Sequence, residues 1–173
     1  MTSFFSAAPS RRTLRLWGLV LAVASVILPA LPLGPLFAQP PMPLAVLWAA
    51  YGWAAEDESG WRAPVALALL GLLHDQLAGG PYGLFVLIYL SAYLIGRIAA
   101  VLMSAPNLLS LWGGFIATAL LTVVIVSLVE RVLLPIAVGP YAEAAAITAL
   151  LFPFVRPLYM SGAPSAWSQG ARR

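Results

Sequence analysis

Long uncharged apolar segments occupy most of this chain and constrain its fold more than any other feature. A transmembrane helix needs about 20 consecutive apolar residues to cross ~30 Å of hydrocarbon. The segment from Leu109 to Leu134 is longer than that, and its charged residues, Glu130 and Arg131, come near its far end. The chain is 62% hydrophobic and 9% charged, whereas a soluble domain has about 25% charged residues. We therefore predict an integral membrane protein.

Six such segments, separated by short polar or glycine- and proline-rich turns, predict an all-α protein with about six transmembrane helices. The predicted segments are Leu16–Leu33, Pro41–Ala55, Trp61–Leu77, Leu84–Met103, Leu109–Leu134 and Tyr141–Val155. The second and third are short for a membrane span, so neighbouring helices can bury one or both of them. The predicted organisation is a cytoplasmic tail at 1–15, a single membrane domain at 16–157 and a cytoplasmic tail at 158–173.

The positions of the arginines predict that both termini lie in the cytoplasm. Basic residues favour the cytoplasmic side of membrane proteins, and all nine basic residues of this chain are arginines. In this orientation only Arg131 lies outside, and the others lie inside: Arg11, Arg12, Arg15, Arg62, Arg97, Arg156, Arg172 and Arg173. An aromatic belt at the inner interface would then contain Trp17, Trp53, Trp61 and Trp112.

The composition also argues against several classes of function. The chain has no cysteine and one histidine, His74, so disulfides, thiolate sites and multi-histidine metal sites are ruled out. His74 and Asp75 are adjacent and would point roughly 100° apart on a helix, so they cannot act as a catalytic pair. The arginines lie mostly at segment ends and in the tails, which argues against a nucleic-acid surface. We expect neither a cofactor nor enzymatic activity.

The stretch from Leu69 to Gly83 is the most informative part of the sequence. A carboxylate at membrane depth is costly unless it has a partner, so Asp75 is a candidate site residue. Three interpretations are open: Asp75 accepts hydrogen bonds from backbone N–H groups of the adjacent turn, contacts a partner such as Arg131, or handles a substrate or proton. The turn itself contains Gly79, Gly80, Pro81 and Gly83. We predict that these glycines provide a tight outer turn in which at least one residue has positive φ.

The same stretch resembles the family of the rod shape-determining protein MreD. The residues of the shared pattern are Gly71, Leu72, Leu73, Asp75, Leu77, Gly79, Pro81 and Gly83, followed by Tyr89 and Tyr93. The size of the chain, its proline-flanked second segment and its short basic termini are also similar to the family. The sequence departs from the family at His74 and at the acidic residues Glu56, Asp57 and Glu58, where a more basic loop is expected.

The resemblance implies a non-enzymatic subunit of the cell-wall elongation machinery in the bacterial inner membrane. Its implied partners are MreC and, in the wider complex, MreB, RodA and the elongation-specific penicillin-binding transpeptidase. The MreD family is itself similar to the six-helix substrate-binding subunits of energy-coupling-factor vitamin transporters, so a small-solute binding subunit is the alternative. Those subunits have an Ala-x-x-x-Ala face on the first helix, whereas here Val26 and Leu28 follow Ala22 and Ala24. We therefore prefer the scaffold.

Overall fold

The computed structural model describes residues 11–30, 44–55, 60–79, 81–102, 108–132 and 138–160. These ranges contain six α-helices, a short 3-10 turn at Leu28–Ala30 and no strand. The helices are α1 (Arg11–Ile27), α2 (Ala45–Ala55), α3 (Arg62–Ala78), α4 (Leu84–Leu102), α5 (Leu108–Val132) and α6 (Val138–Tyr159). The predicted all-α fold is confirmed.

Several helix bounds differ from the prediction, including the end of α1 at Ile27 and the start of α6 at Val138. The first helix begins at Arg11 instead of Leu16, and the last ends at Tyr159 instead of Val155. Tyr159, the last residue of α6, is buried, and its hydroxyl donates a 2.9 Å hydrogen bond to the carbonyl of Gly18. Residues 1–10 and 161–173 of the predicted tails lie outside the described ranges.

Helix α2 occupies the centre of the bundle and contacts each of the other five helices. These five pack around it as neighbours in the order α3, α4, α5, α6, α1. The residues of α2 are apolar or small on every side, which is typical of a helix that is buried all round, and those from Ala45 to Gly52 are buried. The short second segment is therefore covered by neighbouring helices.

Contacts between helix ends show which ends lie together. Tyr159 packs on Gly18 and Gly52, so the start of α1 and the ends of α2 and α6 share one end of the bundle. A Cβ on Gly96 would lie 2.7 Å from the Cβ of Ala54, which adds the second half of α4. We call this the arginine end, because Arg62, Arg97 and Arg156 belong to it. The turn between α3 and α4 marks the opposite end, which we call the hairpin end.

Hydrogen bonds from two tryptophans connect α6 to neighbouring helices, and a proline in α6 explains one of them. Pro153 has no N–H for the carbonyl of Ala149 one turn earlier, and the indole N–H of Trp112 donates a 2.8 Å hydrogen bond to that oxygen instead. The indole N–H of Trp48 donates similarly to the carbonyl of Thr148 at 2.8 Å. The polar atom of the Trp112 indole therefore bonds to α6, and the aromatic belt at the inner interface stays a prediction.

Two helices in the described ranges are long and apolar enough to cross a membrane. They are α4 and the part of α5 from Leu108 to Val129. Shorter apolar stretches occur at Leu16–Ile27 and Ala45–Ala55. Large apolar side chains are exposed on the outer surfaces of α1, α3, α4, α5 and α6. The structure is thus a helical bundle with two candidate membrane-spanning helices.

Candidate functional site at the α3–α4 hairpin

Close packing of α3 on α4 depends on a glycine. The buried residues of α3 are four apart and form one stripe: Ala63, Leu67, Gly71 and Asp75. A Cβ on Gly71 would lie 2.6 Å from the backbone nitrogen of Val86 and 2.7 Å from its Cα. Any larger residue would therefore clash with the backbone of α4. Gly71 allows the two helices to touch.

Asp75 caps the start of α4 from the preceding helix. Its side chain is 1% exposed. Oδ2 accepts a 2.7 Å hydrogen bond from the N–H of Gly83, and Oδ1 accepts a 2.9 Å hydrogen bond from the N–H of Phe85. The first N–H groups of a helix lack intrahelical acceptors, and the positive end of the helix dipole favours an anion there. Among the three interpretations of Asp75, the structure gives it the backbone-bonding one.

The suggested pair between Asp75 and Arg131 is wrong. Arg131 is exposed in the last turn of α5, whereas Asp75 is buried with both oxygens on the backbone of the α4 start. The neighbours of α3 around the bundle are α4 and α1, so α4 separates α3 from α5. The two charged residues lie towards the same end of the bundle but on helices that are not adjacent.

The turn has the glycine geometry that the sequence predicts. Gly79 ends α3 in the left-handed conformation with φ of 64°, and Gly83 has φ of 92°. The carbonyl of Pro81 accepts a 3.2 Å hydrogen bond from the N–H of Leu84 and so closes the turn. Gly80 lies outside the described residues. The prediction of at least one positive φ is confirmed.

His74 makes a second connection between the two helices. Its ring stacks on Phe85 with 3.6 Å between ring centroids and an interplanar angle of 8°. Its Nδ1 shares a 2.5 Å hydrogen bond with the hydroxyl of buried Tyr89. Adjacent residues, His74 and Asp75, therefore hold α4 at different points. This role was not predicted from the sequence, although Phe85 and Tyr89 are four apart and so lie on one helix face.

Most buried polar side chains of the described ranges bond to the backbone. Thr118, Thr122 and Thr148 each donate to a carbonyl one turn earlier in their own helix, at 3.1, 3.1 and 2.5 Å. Tyr51 on α2 differs, because its hydroxyl is buried and has no hydrogen-bond partner among the described residues. Its ring packs edge-on against Phe115 and Phe152. The described residues include no group of three or more side chains that could hold a metal ion.

Comparison of the chain with models of protein families found no matching family, and comparisons with curated proteins and with solved structures found no match. The chemistry of the site is therefore inferred from its geometry. Four residues each meet a specific requirement of the backbone: close helix contact at Gly71, an acceptor for N–H groups at Asp75, and positive φ at Gly79 and Gly83. They define the geometry of the hairpin between α3 and α4.

Proposed function

We propose that this protein is a non-enzymatic scaffold subunit of the bacterial cell-wall elongation machinery and that it maintains rod shape together with MreC. The main support is the use of Asp75, the charged residue of the MreD-like pattern. Both of its carboxylate oxygens accept backbone hydrogen bonds at the start of α4. A side chain committed in this way stabilises the shape of the protein and is not free to react.

The proposal includes a multi-pass position in the inner membrane, with six spans and both termini in the cytoplasm. Two observations support it. Two of the helices are long and apolar enough to cross a membrane. The start of α1 and the end of α6 lie at the same end of the bundle, together with Arg62, Arg97 and Arg156. The excess of arginine at one end fits the preference of basic residues for the cytoplasmic side.

A scaffold requires a fixed shape that partners can recognise. The pattern that resembles MreD provides such a shape, since Gly71 sets the distance between α3 and α4 and Asp75 ties the turn to α4. Partner binding to MreC, with MreB, RodA and the transpeptidase in the wider complex, follows from the resemblance. A vitamin-binding subunit would instead need a pocket with several convergent polar groups near the middle of the membrane.

Depletion of the protein in its own host tests the proposal. We expect depleted cells to widen and round, and a plasmid copy of the wild-type gene to restore the rod shape. Vitamin uptake, measured in the same cultures, should not change. If the cells stay rod-shaped but lose uptake of a vitamin, the scaffold proposal fails and the transporter subunit replaces it.

A further inference from the structure

The outer face of α6 carries a carboxylate among apolar side chains. Exposed residues of this helix recur at intervals of three or four and form a single stripe: Glu143, Ala146, Leu150, Phe154 and Pro157. The buried residues Thr148 and Phe152 lie on the opposite side of the helix, against the rest of the bundle. The side chain of Glu143 therefore points away from the bundle.

Glu143 lies within the helix and not at its end. The rings of Tyr141 and Phe85 are 6.1 Å apart between centroids, so the start of α6 lies beside the start of α4 at the hairpin end. Glu143 is five residues beyond Val138, the first residue of α6, which is about 7.5 Å along the axis at ~1.5 Å per residue. The helix dipole favours an anion only in the first turn, and that turn contains no acidic residue. The end of the helix therefore does not account for Glu143.

No group in the described part of the chain neutralises this carboxylate. Within the described ranges, no hydrogen bond or ion pair joins Glu143 to another residue. Ionisable side chains in membrane-spanning helices almost always face the bundle interior or a water-filled cavity, because an uncompensated charge in hydrocarbon is unfavourable. Glu143 instead faces outward, at the head of an apolar strip in which Leu150 and Phe154 are 65% and 81% exposed. A cation from outside the chain would compensate the charge.

We propose that the outer face of α6 binds a transmembrane helix of another subunit, and that a lysine or arginine near the outer end of that helix pairs with Glu143. The apolar strip fits the apolar side chains of a spanning helix, and the carboxylate selects a helix with a basic residue at the same depth. The charge pair would fix how far the two helices slide past each other. This inference rests on the membrane position contained in the proposed function, but not on the cell-wall machinery.

Photo-crosslinking of the full-length protein in host membranes tests this contact. The photoreactive benzoylphenylalanine replaces Leu150, and mass spectrometry identifies the crosslinked peptide of the partner. We expect a transmembrane helix with lysine or arginine near its outer end. The matched control places the probe at Leu94, which is 60% exposed on the outer surface of α4 and should not give this product. Glu143→Gln should lower the yield from the Leu150 probe at least fivefold, and Glu143→Asp should retain at least half of it.

Exchange of the two charges tests the pair itself. Glu143→Arg should abolish the crosslink, and glutamate in place of the partner's basic residue should restore it. Because Glu143 is exposed, Glu143→Gln should leave the Tm of the purified protein unchanged. A lower Tm would show that the carboxylate serves the fold of this chain and would overturn the proposal.

The crosslinked product decides between the occupants of this face. The proposal is overturned if the Leu150 probe gives no protein product, a helix without a basic residue, only a second copy of this chain, or a product that Glu143→Gln does not reduce. A charge-dependent partner outside the cell-wall machinery would refute the proposed function and leave this inference intact. Conversely, cells that lose their rod shape on depletion while the crosslink ignores Glu143 would refute this inference alone.

Discussion

A single methyl group added at Gly71 should separate α3 from α4. The new Cβ would lie 2.6 Å and 2.7 Å from the nitrogen and Cα of Val86 and 3.0 Å from the carbonyl carbon of Phe85. All three are backbone atoms, so no side-chain rotation relieves the clash. Optimal contacts between carbon atoms are at about 3.5–4.0 Å, so the helices must move apart by roughly 1 Å. The same movement would stretch the hydrogen bonds that the N–H groups of Gly83 and Phe85 donate to Asp75.

The size of the effect follows from two destabilising terms and one stabilising term. Overpacking of a tight site costs about 1–3 kcal/mol, and loss of good geometry in a buried hydrogen bond adds about 1 kcal/mol. Replacing a helical glycine by alanine restores up to about 1 kcal/mol. We therefore expect Gly71→Ala to lower the free energy of unfolding by about 2 kcal/mol, which corresponds to a Tm about 4–8 °C lower for a chain of this size.

The assay is the Tm of the purified protein in detergent, followed by size-exclusion chromatography after heating. Gly113→Ala is the matched control, because Gly113 is also inside a helix, α5, but a Cβ there would meet no atom within 4 Å. That variant should be as stable as the wild type or more stable by up to about 1 kcal/mol. Equal Tm values for the two variants would refute the view that backbone contact at Gly71 positions the hairpin.

Three further predictions concern other parts of the account. Asp75→Ala should destabilise the protein by about 1–3 kcal/mol, because two N–H groups lose their acceptor. Its effect on Tm should add to that of Arg131→Ala, whereas a coupling energy above about 0.5 kcal/mol would show that the two side chains form an ion pair. Tyr51→Phe should leave the Tm unchanged or raise it, because the removed hydroxyl has no hydrogen-bond partner within the part of the chain that the structure describes. A clear loss of stability would reveal such a partner. The chain has no cysteine, so Tyr82→Cys and Trp61→Cys, at positions 75% and 73% exposed, can report orientation. An impermeant maleimide added to spheroplasts should label Tyr82→Cys only. Labelling of Trp61→Cys would show that the opposite end of the bundle faces outward.

Local features of the hairpin could be predicted from the sequence because they depend on neighbouring residues. Glycines between two apolar segments favour a turn with positive φ, and Gly79 and Gly83 have it. The short apolar segment before Ala55 can be buried by its neighbours, and α2 lies in the centre of the bundle. In both cases the physical cause acts within a few residues, through backbone freedom or through the length of a segment.

Contacts between distant segments could not be predicted in the same way. Pairing Asp75 with Arg131 required α3 and α5 to be adjacent, and α4 separates them. The indole of Trp112 is amphipathic, so the sequence fits either a membrane interface or the free carbonyl that Pro153 leaves in α6. The contact of His74 with Phe85 and Tyr89 likewise depends on how closely Gly71 brings α3 to α4. Predicting each of these contacts requires knowledge of the order in which the helices pack around α2.

Identification of the membrane proteins that bind this chain in its own host tests the central proposal most directly. A tagged copy expressed at its native level is solubilised in mild detergent and purified, and the co-purified proteins are quantified by mass spectrometry against an untagged strain. The account predicts enrichment of MreC, with RodA and the elongation-specific transpeptidase at lower levels. Enrichment of the ATPase subunits of an energy-coupling-factor transporter without MreC would contradict it.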